Sequence, residues 1–591
     1  MFSAEGVGFE PTMACAIPVF KTGALGRSAI PPERVRFYHE PCPGCMDYRN
    51  SVFLMLYLPE RRVTQLPKCL IATSLSAPSL DPKPTMSRLS RAALLIAFFF
   101  GLEKALGFVR QVAIARTFGL SATLDVYNAA NNLPDLLFAL ISGGALAIAF
   151  IPVLAEYLDQ RGRPAMWDLF SRIANLVFLI TAGLSILVAV FSEQLVASRL
   201  GIAPGFTVEQ QALVAELMRL NLLATLLFSL GGLVIAGLQA NQHFLLPAVA
   251  PSMYDLGTLF GVLILVPEEG YQLGPITLPA FGMGVYGLVY GTILGAALFL
   301  LVQVPGLLRY RFRWVPRIDL RHPGVGQVLR LMGPRILTVL CIQVVFLSQD
   351  NIASRLVAGS VSALVYGWLF MQVPETIIGT AVGTALLPTL SEQAARQDRE
   401  SLHRSLHQAL RVLLALTIPV TALLVVVIPP VVGLLGFDQA GSDLVVWTAR
   451  FFLLGLVGHS LLEISVRAYY AQQNAWLPLA AAAATAVTFV ALAAVLGLRF
   501  GTPGIGLANT LAFTGQAVVL WLLLNRAMPG VAYVWPTLGR AALGAALAAV
   551  LALLVIQFLG SGLIASVAAL ALGALAALPF IWPELKLLMK L

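Results

Sequence analysis

The sequence predicts an all-α polytopic membrane protein. It should hold about 14 transmembrane helices, as two six-helix lobes in parallel repeat plus two extra C-terminal helices. Three observations carry this expectation. Apolar stretches of membrane length recur from Ser87 to Leu591, and a spanning helix needs roughly 20 predominantly apolar residues. The 591 residues are 58% hydrophobic and 11% charged, with mean hydropathy +0.85, whereas a soluble chain carries about 25% charged residues. Finally, two short signposts appear twice, in the same order.

Residues 1–85 stand outside this pattern. They are Pro-rich, mixed in charge and without periodicity, and the run Val52–Leu58 is too short to span. No basic start, apolar region and small-residue cleavage site mark a signal peptide. The stretch Gly6–Pro32 resembles a recurrent spurious translation of transfer-RNA gene sequence, and Met86-Ser-Arg88 reads as a natural start. Residues 1–85 are therefore read as a mis-called extension, with a disordered genuine tail as the alternative. Four of five cysteines (Cys15, Cys42, Cys45 and Cys69) fall there, leaving Cys341 in the membrane region. Cys42 and Cys45 have the spacing of a redox or zinc half-site, but a single pair is a weak signal. No metal site and no cofactor are expected.

Helices are expected near 90–112, 124–153, 170–192, 211–238, 246–266, 280–304, 326–349, 361–388, 406–428, 443–468, 476–498, 504–525, 539–560 and 562–584. Basic residues collect in alternate loops: Arg161, Arg163 and Arg172; Arg309, Arg311, Arg313, Arg317 and Arg321; Arg396, Arg399 and Arg404. Basic loops stay cytoplasmic, so both termini should face the cytoplasm. The net charge of +9 then reflects loop orientation and contact with anionic lipid heads rather than nucleic acid.

The first signpost is Ala149-Phe-Ile-Pro152-Val-Leu-Ala-Glu156, echoed by Ala385-Leu-Leu-Pro388-Thr-Leu-Ser-Glu392 at an offset of 236. The second is Gln239-Ala-Asn241 before Pro247, echoed by Gln472-Gln-Asn474 before Pro478, with the prolines offset by 231. An even number of helices per unit gives both copies the same orientation, an architecture of transporters that hold substrate between halves. The expected division is an N-lobe over 86–308, a basic cytoplasmic linker over 309–324, a C-lobe over 325–526 and the last helix pair over 527–591.

Ionisable residues inside spans are costly and point to function. The first helix is the richest, with Glu103, Lys104, Arg110 and Arg116. At 100° per residue Glu103, Gly107 and Arg110 share one face, with Lys104 beside it. Gly107 removes bulk between the charges, and the net positive sign suits a phosphate-bearing ligand. The bland alternative is that the arginines snorkel to an interface while Glu103 and Lys104 neutralise each other. Asp125 begins the second helix as either a cap or a ligand. Asn128 and Asn132 share its face, making a polar stripe before Pro134 that suggests a water-lined helix. Asp255, Arg335, Asp350, Glu463 and Arg467 could line a cavity or form interhelical pairs, and pairing is expected for most. His459 is expected to be a packing residue. Enzymatic chemistry has little support, since no Walker A loop, HExxH or dinucleotide fingerprint is present.

At Leu106-Gly-Phe-Val-Arg110, Ala115-Arg-Thr-Phe-Gly119, Asp125, Asn132-Leu-Pro134 and Ala149–Tyr157 the chain closely resembles the MurJ/MviN family of bacterial lipid II flippases. That family lies within the multidrug/oligosaccharidyl-lipid/polysaccharide exporter superfamily. The match continues at Met332-Gly-Pro334, Gly359-Ser-Val361, Pro374 and Gly383–Ser391, and so runs from Met86 through the whole membrane region. The resemblance implies fourteen helices in two lobes plus a final pair, and cationic residues in a central cavity that engage the pyrophosphate of lipid II. Arg110 matches a family arginine, Lys104 stands where the family has arginine, and Asp125 matches a family aspartate. Phe138 and Leu369 replace cavity arginines, Gln372 replaces a glutamate, and Gly143 replaces a polar position. Arg335 is the candidate substitute for the missing cations.

The reading is an inner-membrane flippase that moves a polyprenyl-pyrophosphate-linked cell-wall precursor outward. Lys104 and Arg110 would hold the pyrophosphate, and Asp125, Arg116 and Arg335 complete the candidate set. The lipid tail would lie along the last two helices, and cell-wall synthesis machinery is a candidate partner. Three alternatives stay open: a flippase for another lipid-linked oligosaccharide, a cation-coupled small-molecule exporter, and a transport-dead scaffold of a cell-wall complex.

Overall fold

A computed structural model describes residues 88–588, apart from 142–143, 274–275 and 561. The Cys42/Cys45 pair and the rest of residues 1–85 lie outside the described residues. The chain begins with α1 (Arg88–Phe118), α2 (Ala122–Ile141) and α3 (Gly144–Val190). The helix expected over 124–153 is thus two pieces, α2 and the start of α3. Gly162 then interrupts α3 with φ 80° and ψ 174°, turning one long helical run into two legs. That break falls between Arg161 and Arg163, where a basic loop was expected.

The short α4 (Ser192–Ala197) leads to α5 (Val208–Ala240), which opens with a capping box formed by Thr207 and Gln210. Such a box satisfies two of the backbone donors that a helix start leaves unpaired. Next comes α6 (Leu245–Phe260), extended by a π-helical turn over Gly261–Leu265. A small hairpin pairs Gln272–Leu273 with Ile276–Thr277, and α7 (Val285–Leu301) and α8 (Val304–Arg309) close this half.

The second half runs through α9 (Pro323–Ala353) and α10 (Ser360–Glu375). A π-helical turn over Thr376–Thr380 joins α10 to α11 (Ala381–Ala395). It continues with α12 (Arg399–Gly433), α13 (Gln439–Leu454) and α14 (Leu456–Ala471), then α15 (Trp476–Phe500) and α16 (Thr502–Ala527). Gly455 separates α13 from α14, and Thr510 Oγ1 lies 2.6 Å from where its Cβ would stand. The last pair is α17 (Trp535–Leu559) and α18 (Leu563–Leu588), both packed on α12.

Among the described residues, 12 helices are long and apolar enough to cross a membrane, against the fourteen expected. Neither α1 nor α2 is among the twelve. These are the helices in which the sequence concentrates Glu103, Lys104, Arg110, Asp125 and the three asparagines.

The repeat is written into the backbone. Left-handed turn residues recur in order: Gly119 (φ 61°) with Gly359 (φ 89°), Gly162 (φ 80°) with Gln397 (φ 56°), and Gln242 with Gln473 (both φ 59°). At the third pair the hydrogen bonds match as well. His243 N–H reaches Leu238 O at 2.9 Å, and Asn474 N–H reaches Tyr469 O at 3.0 Å. Gly284 (φ 54°, ψ −137°) before α7 has its counterpart in Gly501 (φ 65°, ψ −146°) before α16.

The hydrophobic core shows how the halves meet. At the end away from the basic loops one cluster draws on both, including Ile114, Leu124 and Val289 from the first, and Tyr366, Phe452 and Ile505 from the second. Toward the basic loops the core divides. One cluster joins α3 and α5 with the start of α9, and a separate one joins α11, α12, α14 and α16. At that end the start of α9 reaches across from the second half into the first half's cluster, while the cluster of α11, α12, α14 and α16 stays separate.

Candidate functional site

The site begins on α1. Glu103, Gly107 and Arg110 are all buried while Leu102, Phe108 and Val109 are exposed, so the face read from the sequence turns inward. Arg110 is 2% exposed. Its Nη1 lies 2.9 Å from Asp255 Oδ1 on α6, and its guanidinium sits 4.9 Å from the centre of the Tyr254 ring. Tyr127 of α2 and Tyr366 of α10 line the same small cavity with Asn128 and Thr258. Tyr366 Oη donates to Gln111 O at 3.5 Å, so the second lobe closes over the arginine. The arrangement is a buried guanidinium walled by phenol rings at the lobe boundary and paired with the Asp255 carboxylate.

Lys104 lies six residues toward the basic end, about 9 Å along the helix. Its ammonium is 3.3 Å from Glu103 Oε1 and 5.5 Å from the centre of the Phe100 ring, with the side chain 36% exposed. Lys104 and Arg110 therefore stand at different levels of α1, the first partly exposed and the second buried.

Asp125 does something the sequence did not reveal. Its carboxylate accepts from Gly359 N–H at 2.6 Å, Ser362 N–H at 2.8 Å and Ser362 Oγ at 2.7 Å. It caps a helix, as one reading allowed, but the helix is α10 of the opposite lobe. Its own helix start is served by Ser121, whose Oγ accepts from Leu124 N–H at 3.3 Å. The polar stripe continues this seam: Asn128 Nδ2 donates to Ser362 Oγ at 3.0 Å, and Asn132 Nδ2 to Asp350 Oδ2 at 2.8 Å. Arg116 belongs to the same end, with Nε donating to Leu434 O at 3.2 Å across the lobes. Asn351 Nδ2 adds a bond to Gly201 O at 2.6 Å. The structure thus brings Asp125 and Arg116 into contacts across the fused end and Arg110 into a small buried cavity beside it, while Lys104 pairs with Glu103 on α1.

Arg335 lies in α9, with its side chain outside the described residues; Gly143 also falls outside them. Phe138 packs against Phe228, with ring centres 6.0 Å apart, and Leu369 is buried in the shared core. Both positions where the resemblance implies arginine are thus filled by core residues. Gln372 is buried, and its Nε2 finds no acceptor among the described residues. Two of the expected interhelical pairings are present, Asp255 with Arg110 and Asp350 with Asn132, whereas Glu463 and Arg467 pair within α14. His459 packs on Phe513 and bonds Asn509 Oδ1 at 3.1 Å. What the sequence missed was which partner each would take, because Arg110 and Asp255 lie 145 positions apart with only helix packing to join them.

The family model of the lipid II flippase MurJ matches residues 114–581. A protein of Burkholderia cenocepacia named lipid II flippase MurJ is 30% identical over 402 residues, covering 66% of this chain and 75% of that relative. A probable lipid II flippase MurJ of Thermotoga maritima is 26% identical over 436 residues, covering 73% of this chain and 85% of its own length. Among solved structures, a lipid II flippase MurJ in an inward closed conformation superposes with a TM-score of 0.68 at 21% identity, covering 84% of this chain and all of that one. An inward-facing multidrug resistance MATE family transporter of the MOP superfamily reaches 0.59 at 16% identity, covering 74% of this chain and 98% of its own. These two likenesses show a shared fold. With the family model spanning most of the residues from Ile114 to the last helix, this chain belongs to the lipid II flippase MurJ family.

Proposed function

We propose that this protein is a flippase of the bacterial inner membrane. It carries a polyprenyl-pyrophosphate-linked cell-wall precursor of the lipid II type from the cytoplasmic to the outer leaflet. The observation that carries the reading is Arg110: a buried cation in a cavity lined from both lobes, in a chain of this family. With those loops cytoplasmic, the precursor's head enters from the side where it is made. Lys104, half exposed and nearer the mouth, meets the pyrophosphate first, and Arg110 takes it at the sealed end. Each is held by a carboxylate, Glu103 and Asp255, which keeps the charge in place until a phosphate competes for it. The lipid tail stays outside, against the exposed leucines and valines of α17 and α18, among them Leu543, Leu547 and Val550. Alternating access then requires the Asp125–Ser362 seam to open as the mouth closes.

Phe138 and Leu369, packed as core where the resemblance implies arginine, favour one second reading: a flippase for a different lipid-linked glycan with fewer cavity cations. The experiment is growth rescue on depletion of the chromosomal lipid II flippase. The parent chain should rescue and the Lys104→Ala/Arg110→Ala variant should not. Rescue by both removes the cationic pair from the mechanism. Failure of both, with membrane insertion verified, moves the assignment to the other glycan.

A further inference from the structure

The most conspicuous buried ionisable group that the transport reading leaves unused is Glu375, the last residue of α10. It is 5% exposed and stands between Pro374 and the π-helical turn Thr376–Thr380. Turns of this kind concentrate at functional sites because they release backbone from regular helical bonding. The Thr380 hydroxyl bonds both carboxyl oxygens, at 3.2 and 3.4 Å, so one side chain spans the whole turn. On the other side Gly379 offers no side chain. Glu375 Oε1 and Ser460 Oγ of α14 lie 3.0 and 2.9 Å from where its Cβ would be. Ser460 is fully buried, and its hydroxyl has no hydrogen-bond partner among the described residues. It is a polar group aimed into the space beside the carboxyl.

The charged neighbours among the described residues are Glu463 and Arg467 of α14. Arg467 is committed elsewhere: it binds the Glu463 carboxylate, Glu463 O at 3.3 Å and Thr384 Oγ1 of α11 at 3.3 Å. His459 faces Asn509 of α16 and the Phe513 ring. α12 carries no charged residue between Arg411 and Gly433, and α16 none between Thr502 and Asn525. Glu375 is hydrogen-bonded by a hydroxyl in a low-dielectric place, where the neutral carboxylic acid is favoured over the ionised carboxylate. No group of three His, Cys, Asp or Glu side chains able to hold a metal ion exists among the described residues, and the guanidinium nearby opposes a metal cation.

We propose that Glu375 is a proton-binding site within the second lobe, with Ser460 and Thr380 as its hydrogen-bond partners. The bound form is the carboxylic acid, whose O–H donates to the open Ser460 oxygen. Loss of the proton to water entering between the lobes leaves a carboxylate that holds Thr380 and calls for a donor from Ser460. The bend between α10, which carries the interlobe seam, and α11, which runs to the basic loops, then responds to protonation. Only this last consequence rests on the flippase reading.

The test is infrared difference spectroscopy of the purified full chain in lipid, titrated between about pH 5 and pH 9. A carboxylic-acid C=O band should be present, lose intensity as pH rises, and be absent from Glu375→Gln. Thr380→Val keeps the carboxyl but removes its hydroxyl partner, so the band should shift in frequency and in titration midpoint. This second variant decides the matter if Glu375→Gln fails to fold. A band unchanged in either folded variant, or no titrating acid band in the parent, overturns the proposal. The readout needs no substrate, so it fails or succeeds independently of what the protein carries.

Discussion

Arg110 and Asp255 show how one pair of residues sets the stakes of the site. Both are almost fully buried, and a buried charge stripped of its partner is strongly destabilising, by about 3–5 kcal/mol. Arg110→Ala should therefore abolish growth rescue and also lower the thermal midpoint of the purified protein. The Arg110→Ala/Asp255→Ala double variant should recover much of the midpoint and none of the rescue. If the double variant transports, Arg110 serves the fold and not the substrate. Arg110→Lys keeps the charge but loses the planar fork and its stacking on Tyr254, so it should rescue poorly.

Packing at the level of elements rests on close helix contact. Gly257 and Gly261 of the α6 run meet Gly295 and Gly291 of α7. A Cβ on Gly291 would lie 2.7 Å from Gly261 Cα, and one on Gly257 would lie 2.3 Å from Gly295 Cα. Small residues four apart let membrane helices approach backbone to backbone, which matters where lipid supplies no hydrophobic drive for association. Because α6 carries Asp255 and Tyr254, this contact also fixes the wall behind Arg110. Gly291→Val should reduce the yield of folded protein in detergent severalfold. Gly326→Ala, with open space around it, should leave the yield unchanged, and equal yields would remove this contact from the account of folding.

For the whole molecule, the decisive feature is the polar seam that joins the two halves at one end. Asp125, Asn128 and Asn132 bind α9 and α10 across the lobes. A transporter that alternates must break these bonds once per cycle. A disulfide between Asn128→Cys and Ser362→Cys, whose native side chains are 3.0 Å apart, should form under mild oxidation and stop growth rescue. Reductant should restore it. Rescue that persists with the crosslink complete would show that the seam never opens.

Much of this was legible in the chain itself. Membrane-length apolar runs fixed the class, because only helices and closed barrels satisfy the backbone in lipid. The repeat was legible because Pro152 and Pro388, and Pro247 and Pro478, stand at matching positions in the two halves. That Glu103, Gly107 and Arg110 share a face of α1 followed from helical periodicity, and the fold turned that face inward. Partners were not legible. Asp125 looks like the cap of its own helix, and only packing of the lobes brings it to Gly359. Glu375 looks like an ordinary residue beside a proline until the π-helical turn and Ser460 surround it. Periodicity says which side of a helix is buried, a local property of covalent geometry. Which helix lies against that side depends on contacts between residues hundreds of positions apart, and those exist only in the folded molecule.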